Sequence, residues 1–377
     1  MPMSIYQALW SADENGFSVS GKNRDNEFIN PTADILLDEQ VRASGKRETN
    51  LAANPLFAKV NLKKLRTPLN EAFIKLLNNY VVNYRSEETY TPEETAEIFA
   101  YLKAIQETKV WQLAIDYIEG ELKEPLRDRF AEEMFDLWFR LYTNWYKGKA
   151  SPFCSGFEHV FVGEGKYEAR SNSDKTLGEV AGYHNWIKFL LDEQTGRVNF
   201  LGYNYGLSNN MGFNNLTVVT LQMMWTHTDL NGDPKTFLFK PKGGFFVGSS
   251  PECELAMGTV AFFETKKGLF QNDRRKITIN DDTLNLVLFP NVTKERQRGN
   301  QIRSFFPEYI GAEAFAAFLI EDVTAKPVVE ENLLRLNNAL FPDLVYQLSV
   351  ATPERNIFSL QESWSFSAKN WKMTEAF

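Results

Sequence analysis

Residues 155–164 read Ser155-Gly156-Phe157-Glu158-His159-Val160-Phe161-Val162-Gly163-Glu164, and they sit where the texture of the chain changes. Upstream, apolar residues recur every three to four positions. Thr91-Pro92-Glu93-Glu94 combines a capping residue, a proline at the first helical position and a glutamate at the third, which is a helix start. Ile98, Phe99, Leu102 and Ile105 follow at helical spacing, and Phe130, Met134, Leu137, Trp138, Leu141, Tyr142 and Trp145 mark a second helical face. Lys147-Gly148-Lys149-Ala150-Ser151-Pro152 ends that periodicity. Downstream, glycines become frequent and the apolar runs are short. His159-Val160-Phe161-Val162 and Phe245-Phe246-Val247 read as strands, and Asn231-Gly232-Asp233-Pro234 as a turn between two sheet-rich parts. Helical patterning returns near residue 311, as in Ala312–Leu319 and Glu331–Leu336. The expected class is α+β, with helices first and strands later.

The 377 residues are 43% hydrophobic and 24% charged, which excludes a disordered or fibrous chain and gives ample core material. Two cysteines, Cys154 and Cys253, make no disulfide framework and are expected to be reduced and partly buried. No apolar run approaches the ~18 residues of a membrane span. The first residues lack a basic stretch followed by an apolar one, so a cytoplasmic, membrane-free protein is the expectation. A net charge of −8 argues against a general nucleic-acid coat. Between residues 235 and 303, however, twelve basic residues face seven acidic ones, a local excess of five positive charges. Such a lobe suits a polyanion, although solvated loop charges give the same count.

Three histidines occur in the whole chain: His159, His184 and His227. Imidazole gives and takes protons near neutral pH, so His159 and His184 are candidates for an acid–base pair, against the plainer alternative of two hydrogen-bonded structural histidines. Lys240-Pro241-Lys242-Gly243-Gly244 places lysines beside glycines, where a backbone approaches a ligand closely and a cation stabilises a developing anion. A bent hairpin with exposed lysines is the alternative.

Together, 155–164, Gly182-Tyr183-His184-Asn185-Trp186 with Gly202-Tyr203, and the stretch from Lys240-Pro241 through Ser250-Pro251-Glu252 to Leu255-Ala256-Met257-Gly258-Thr259 resemble the EndoU family of uridylate-preferring endoribonucleases. Leu9-Trp10-Ser11-Ala12-Asp13-Glu14-Asn15 resembles its cellular members, and the likeness spans roughly residues 9–310. It implies a helical N-terminal region (1–150) followed by two small antiparallel β-sheet lobes with a catalytic groove between them. The first lobe (151–230) would carry both histidines, the second (231–310) the lysine and a base-reading loop. Residues 311–377 would be a C-terminal extension of unassigned role.

The resemblance implies cleavage of single-stranded RNA 3′ of uridylates, with the substrate's 2′-hydroxyl as nucleophile and a 2′,3′-cyclic phosphate as product. DNA, lacking that hydroxyl, would not be cut. By position, His184 is assigned as base, His159 as acid and Lys240 as the cation at the phosphorane, with the two histidine roles open to exchange. Ser304 and Phe306, in Ser304-Phe305-Phe306-Pro307, align with the family's Thr-Ala-Tyr-Pro and would contact substrate; Thr259 matches a family threonine and would do so too, or else belongs to the core of a strand. Phe306 in place of tyrosine and Gly244 in place of a frequent serine weaken the expected uridine preference. Family members respond to Mn²⁺ or Ca²⁺, and Glu158 and Glu164 are the expected ligands, or else orient a loop through backbone N–H groups. An RNA-binding protein with little catalysis and a nuclease toxin are the alternative readings.

Overall fold

The computed structural model describes residues 3–23, 26–38, 52–167, 178–203, 217–227 and 236–312, with short strands at 366–367 and 371–372. The chain divides into two units, Met1–Gly311 and Ala312–Phe377. In the second, Phe366–Ser367 pairs antiparallel with Trp371–Lys372. The turn expected at 231–234 and the helical patterning expected beyond 312 lie outside the described residues.

The first unit opens with α1 (Ile5–Ser11) and a small sheet of β1 (Val19–Ser20), β2 (Ile35–Leu37) and β3 (Phe57–Val60). Four helices follow: α2 (Leu62–Leu65), α3 (Pro68–Leu76), α4 (Pro92–Gln106) and α5 (Lys109–Gly120). The start of α4 is the one its sequence predicts. Thr91 Oγ1 accepts from Glu94 N at 3.1 Å while the Glu94 carboxylate accepts from Thr91 N at 2.7 Å, satisfying two N–H groups that have no partner inside the helix. Ile98, Leu102 and Ile105 are buried on its inner face. The next helical face ends earlier than its periodicity suggests. The short helix α6 (Phe130–Met134) runs into a π-helical turn at Phe135–Phe139, and Arg140 then turns extended. Tyr142 and Trp145 fall on β4 (Tyr142–Tyr146), which pairs with β5 (Lys149–Cys154). Lys147 and Gly148 both have positive φ (50° and 80°), the tight hairpin geometry that local apolar spacing does not register.

The stretch 158–162 is not a strand. Gly163 N donates to Glu158 O at 2.8 Å, closing a π-helical turn over Glu158–Val162. The reason is aromatic packing. Phe157 lies 4.6 Å from Phe139 and 5.9 Å from Phe73, and Phe161 lies 5.6 Å from Phe73, ring centroid to centroid. A turn puts both rings on one side, whereas a strand would put them on the same face only with a different spacing from the helical core. Burying each ring contributes about 2–3 kcal/mol, and this overrides the strand propensity of Val160-Phe161-Val162.

Beyond it come β6 (Glu164–Lys166), β7 (Gly178–Ala181), α7 (Trp186–Gln194), β8 (Val198–Tyr203), β9 (Val218–His227) and β10 (Thr236–Phe246). These five strands form one sheet in the order β6-β7-β10-β9-β8. Helix α8 (Pro251–Lys266), capped by Ser250 and buried from Pro251 to Glu264, leads to a second sheet of β11 (Arg274–Ile279), β12 (Asp282–Val292) and β13 (Arg298–Ala312). The α+β class holds, with three differences from the expectation, the first being that residues 1–150 carry the β1–β3 sheet besides their helices. The five-stranded sheet is mixed, because β7 and β10 run parallel. A boundary at residue 231 also cuts through it, because β10, which carries Lys240, pairs with β9 and β7 rather than with the second sheet. Long-range strand pairing decides this, and nothing local to Lys240 encodes it.

Candidate active site

The two histidine segments are joined by backbone. Tyr183 N donates to His159 O at 2.8 Å and His184 N donates to Val160 O at 2.6 Å. Gly182 makes that crossing possible. Its φ is +63°, and a Cβ there would sit 1.7 Å from His159 O. After the crossing the chain is held by Asn185, whose side chain caps α7 through Lys188 N at 3.0 Å, and by Trp186, whose indole donates to Ser249 O at 2.8 Å. The His184 ring is thereby set 6.4 Å from the His159 ring, centroid to centroid.

Each imidazole is anchored through Nδ1. His159 Nδ1 lies 3.1 Å from Glu164 Oε2, and His184 Nδ1 lies 2.7 Å from Gly244 O. A backbone carbonyl only accepts, so His184 carries its proton on Nδ1 and presents Nε2 as an acceptor; a carboxylate imposes the same tautomer on neutral His159. Burial, aided by Arg303, lowers the His159 pKa to about 4, although Glu164 acts the other way. Burial and the Lys240 charge hold His184 well below the usual imidazole range.

Lys240 completes the cluster. A bulge between Lys240 and Gly243 on β10 lets the lysine side chain fold back over Gly243, where a Cβ would lie 2.7 Å from Lys240 Cε. The ammonium donates to the carbonyl of Gly182, the residue between the two histidine segments. Burial, with Lys166 nearby, brings its pKa down to about 7.

From the second sheet β13 supplies two of the expected residues. Phe306 stacks on His184 at 4.6 Å with 12° between planes, and Ser304 is buried. Phe289 on β12, which sequence reading did not single out, lies 6.5 Å from Phe306 and is partly exposed. Thr259 does not belong here. It lies on α8, fully buried, and accepts from the Trp138 indole at 2.9 Å; it is part of the core.

Glu158 and Glu164 are both buried, but their chemistry does not fit a cation. Both oxygens of Glu164 accept from Arg303, each at 2.7 Å, and Oε2 also meets His159. Burial pushes the Glu164 carboxyl up, yet Arg303 and His159 outweigh it and hold it well below the usual range. Burial and the neighbouring Glu164 charge push Glu158 the opposite way, well above that range. A carboxylate whose two oxygens are already committed to Arg303 and His159 is a poor ligand for a hard cation. Among the described residues no group of three or more His, Cys, Asp or Glu side chains is placed to hold a metal.

The basic excess between 235 and 303 is also partly spent. Lys267 pairs with Glu124, Arg274 with Glu308, Arg275 with Glu264, Arg298 with Asp273 and Arg303 with Glu164. Cys154 and Cys253 are free and buried, and no helix among the described residues is long and apolar enough to cross a membrane.

Two imidazoles with parallel anchoring and a buried lysine between their segments define a site for general acid–base chemistry at an anionic centre. The profile of the family described as Endoribonuclease XendoU matches residues 3–307, and the chain belongs to that family. It is 33% identical over 268 residues to the poly(U)-specific endoribonuclease of Xenopus tropicalis, covering 70% of this chain and 81% of that one. It is 36% identical over 267 residues to uridylate-specific endoribonuclease C of Danio rerio, covering 69% and 75%. A solved structure of XendoU, described as a splicing-independent snoRNA-processing endoribonuclease, superposes with a TM-score of 0.59 at 29% identity, over 82% of this chain and 96% of that one.

Proposed function

We propose that this chain is an endoribonuclease that cleaves single-stranded RNA 3′ of uridylates by 2′-hydroxyl transesterification, leaving a 2′,3′-cyclic phosphate. The observation that carries this reading is the pair of imidazoles 6.4 Å apart, each anchored at Nδ1. His184, whose partner is a neutral carbonyl, takes the 2′-hydroxyl proton on Nε2. O2′ attacks phosphorus, the P–O5′ bond breaks, and His159 Nε2 delivers a proton to O5′. The carboxylate of Glu164 suits His159 to the acid role, because it stabilises the imidazolium that must form before transfer. In the free protein His159 is neutral at pH 7, with a pKa of about 4. The arriving phosphate raises its proton affinity, which is the direction the reaction needs. Lys240 offsets the negative charge of the phosphorane. The chemistry needs no protein nucleophile, and DNA lacks the attacking hydroxyl.

Uridine selectivity rests on Ser304 and Phe306. Phe306 already has one face against His184, so a uracil stacked on this ring is held next to the base that acts on its own ribose. No step above draws on Mn²⁺ or Ca²⁺. The test is an oligodeoxynucleotide with a single ribouridine. Wild type is expected to cut at that residue to a cyclic phosphate and His184→Ala to lose the activity; RNA binding with no cutting by wild type under any condition would refute the nuclease reading.

A further inference from the structure

We propose that Arg303 is a positioning residue for the cleavage: a built-in cation that holds Glu164, and through it the His159 ring, in the place at these carboxylates that a divalent ion would take. This rests on the nuclease reading above and extends it to ion dependence. Arg303 and Glu164 stand 139 positions apart, on β13 and β6, and meet through two parallel bonds of 2.7 Å each. A planar fork matched to a carboxylate fixes the carboxylate's rotation as well as its charge. Since Oε2 also receives His159 Nδ1 at 3.1 Å, fixing that rotation fixes the imidazole.

The approach of β13 is built in on both sides. Gly156, two residues before Glu158, faces Ile302 so closely that a Cβ there would lie 2.6 Å from Ile302 O. The Tyr142 hydroxyl donates to that same carbonyl at 2.9 Å. The backbone beside Arg303 is therefore pinned before its side chain reaches across. Side-chain exposure is 13% for Arg303 and 2% for Glu164. Removing two charges from water to this degree carries a desolvation penalty that their attraction scarcely repays, so a buried pair of this kind is weak as a source of stability alone. As an orienting device it has a clear effect. The guanidinium occupies both oxygens of Glu164, so a divalent ion would have to displace it or sit against its positive charge.

The second consequence is coupling. Ser304 and Phe306 follow Arg303 on the same strand. Any shift of β13 when a base engages them is passed through the guanidinium to Glu164 and His159, linking base recognition to alignment of the acid.

The test uses the full chain as wild type, Arg303→Ala, Arg303→Lys and Glu164→Gln, on the single-ribouridine oligonucleotide across a pH series, with EDTA or with added MnCl₂. In parallel, ¹⁵N NMR of histidine-labelled protein reads the His159 tautomer, with His159→Gln identifying its signals. Wild type is expected to cut equally in EDTA and MnCl₂, with the His159 proton on Nδ1. Arg303→Ala is expected to lose about 100-fold in kcat with KM within about threefold, the scale of a misplaced catalytic group. It is also expected to shift its pH profile, to mix its His159 tautomers and to regain part of its activity in MnCl₂, while Arg303→Lys recovers part of the loss. Glu164→Gln combined with Arg303→Ala is expected to cost no more than the larger single change.

A merely structural bridge would lower thermal stability and leave tautomer, pH profile and kcat in place; that outcome overturns the proposal. So does wild type losing its activity in EDTA. If Arg303→Ala does not fold, Arg303→Lys and the wild-type tautomer decide, and a His159 proton on Nε2 refutes the clamp. If wild type cuts no RNA at all, the nuclease reading fails, while the tautomer of Arg303→Lys still tests the positioning.

Discussion

Gly182→Ala probes the junction on which the site depends. At φ +63° an L-residue costs about 1–2 kcal/mol relative to glycine. Sterics add more: the new Cβ would lie 1.7 Å from His159 O, and contacts below 3.0 Å are essentially never seen, so the two backbones must separate by about 1.3 Å. That separation breaks or stretches Tyr183 N to His159 O and His184 N to Val160 O, bonds of 2.8 and 2.6 Å worth about 0.5–1.5 kcal/mol each. The expected loss is about 2–5 kcal/mol of stability, with His184 and the Lys240 anchor carried away from His159. A displacement near 1 Å at catalytic groups costs about 100-fold in rate. Thermal unfolding and single-turnover cleavage of the single-ribouridine oligonucleotide read both effects. A variant within about 1 kcal/mol of wild type in stability and threefold in rate would refute the claim that this crossing sets the geometry of the pair.

Further outcomes can be checked independently. Lys240 has its pKa depressed to about 7, so its charge is present below that pH and lost above it; kcat/KM is expected to fall as pH rises through this region, and Lys240→Arg, cationic throughout, to remove that limb at lower overall activity. Burial raises the Glu254 pKa to about 8, so the folded state holds a proton that the unfolded chain releases above its ordinary value of 4.5. Its contribution is complete below pH 4.5 and lost as pH rises through 8, about 5 kcal/mol in all; in pH-dependent denaturant titrations Glu254→Gln is expected to flatten that decline. Thr259→Val leaves the buried Trp138 N–H without its acceptor and is expected to cost about 1–3 kcal/mol in thermal unfolding, with KM for RNA unchanged. Phe306→Ala is expected to narrow the ratio of ribouridine to ribocytidine cutting in a paired-substrate assay; an unchanged ratio places base recognition elsewhere.

How much of this was legible before folding depends on how far apart the deciding groups lie. The start of α4 was fully readable, because a capping box is a matter of four consecutive residues. The drift from a helix-rich first half to a strand-rich second half was legible too, although the β1–β3 sheet and α8 interrupt it, and His159, His184 and Lys240 were singled out through the family resemblance rather than by spacing. The run His159-Val160-Phe161-Val162 reads as a strand and folds as a π-helical turn. Short apolar runs carry no period that distinguishes strand from turn, and the choice fell to Phe73 and Phe139 pressing on Phe157 and Phe161. For Thr259 the motif leaves substrate contact and a core role open, because position in a motif says nothing about which way a helix faces, and burial settles it for the core.

The chemical inventory is local: two imidazoles, a lysine among glycines, and the signals that start and stop helices. Those are set by side-chain identity and by contacts within a few residues. Tertiary structure alone decided that β10 lies in the histidine sheet, that Glu164 is committed to Arg303 and His159, and that Phe306 rests on His184. These are meetings of groups 5 to 139 positions apart, and their energies depend on burial and orientation, which exist only once the chain has closed on itself.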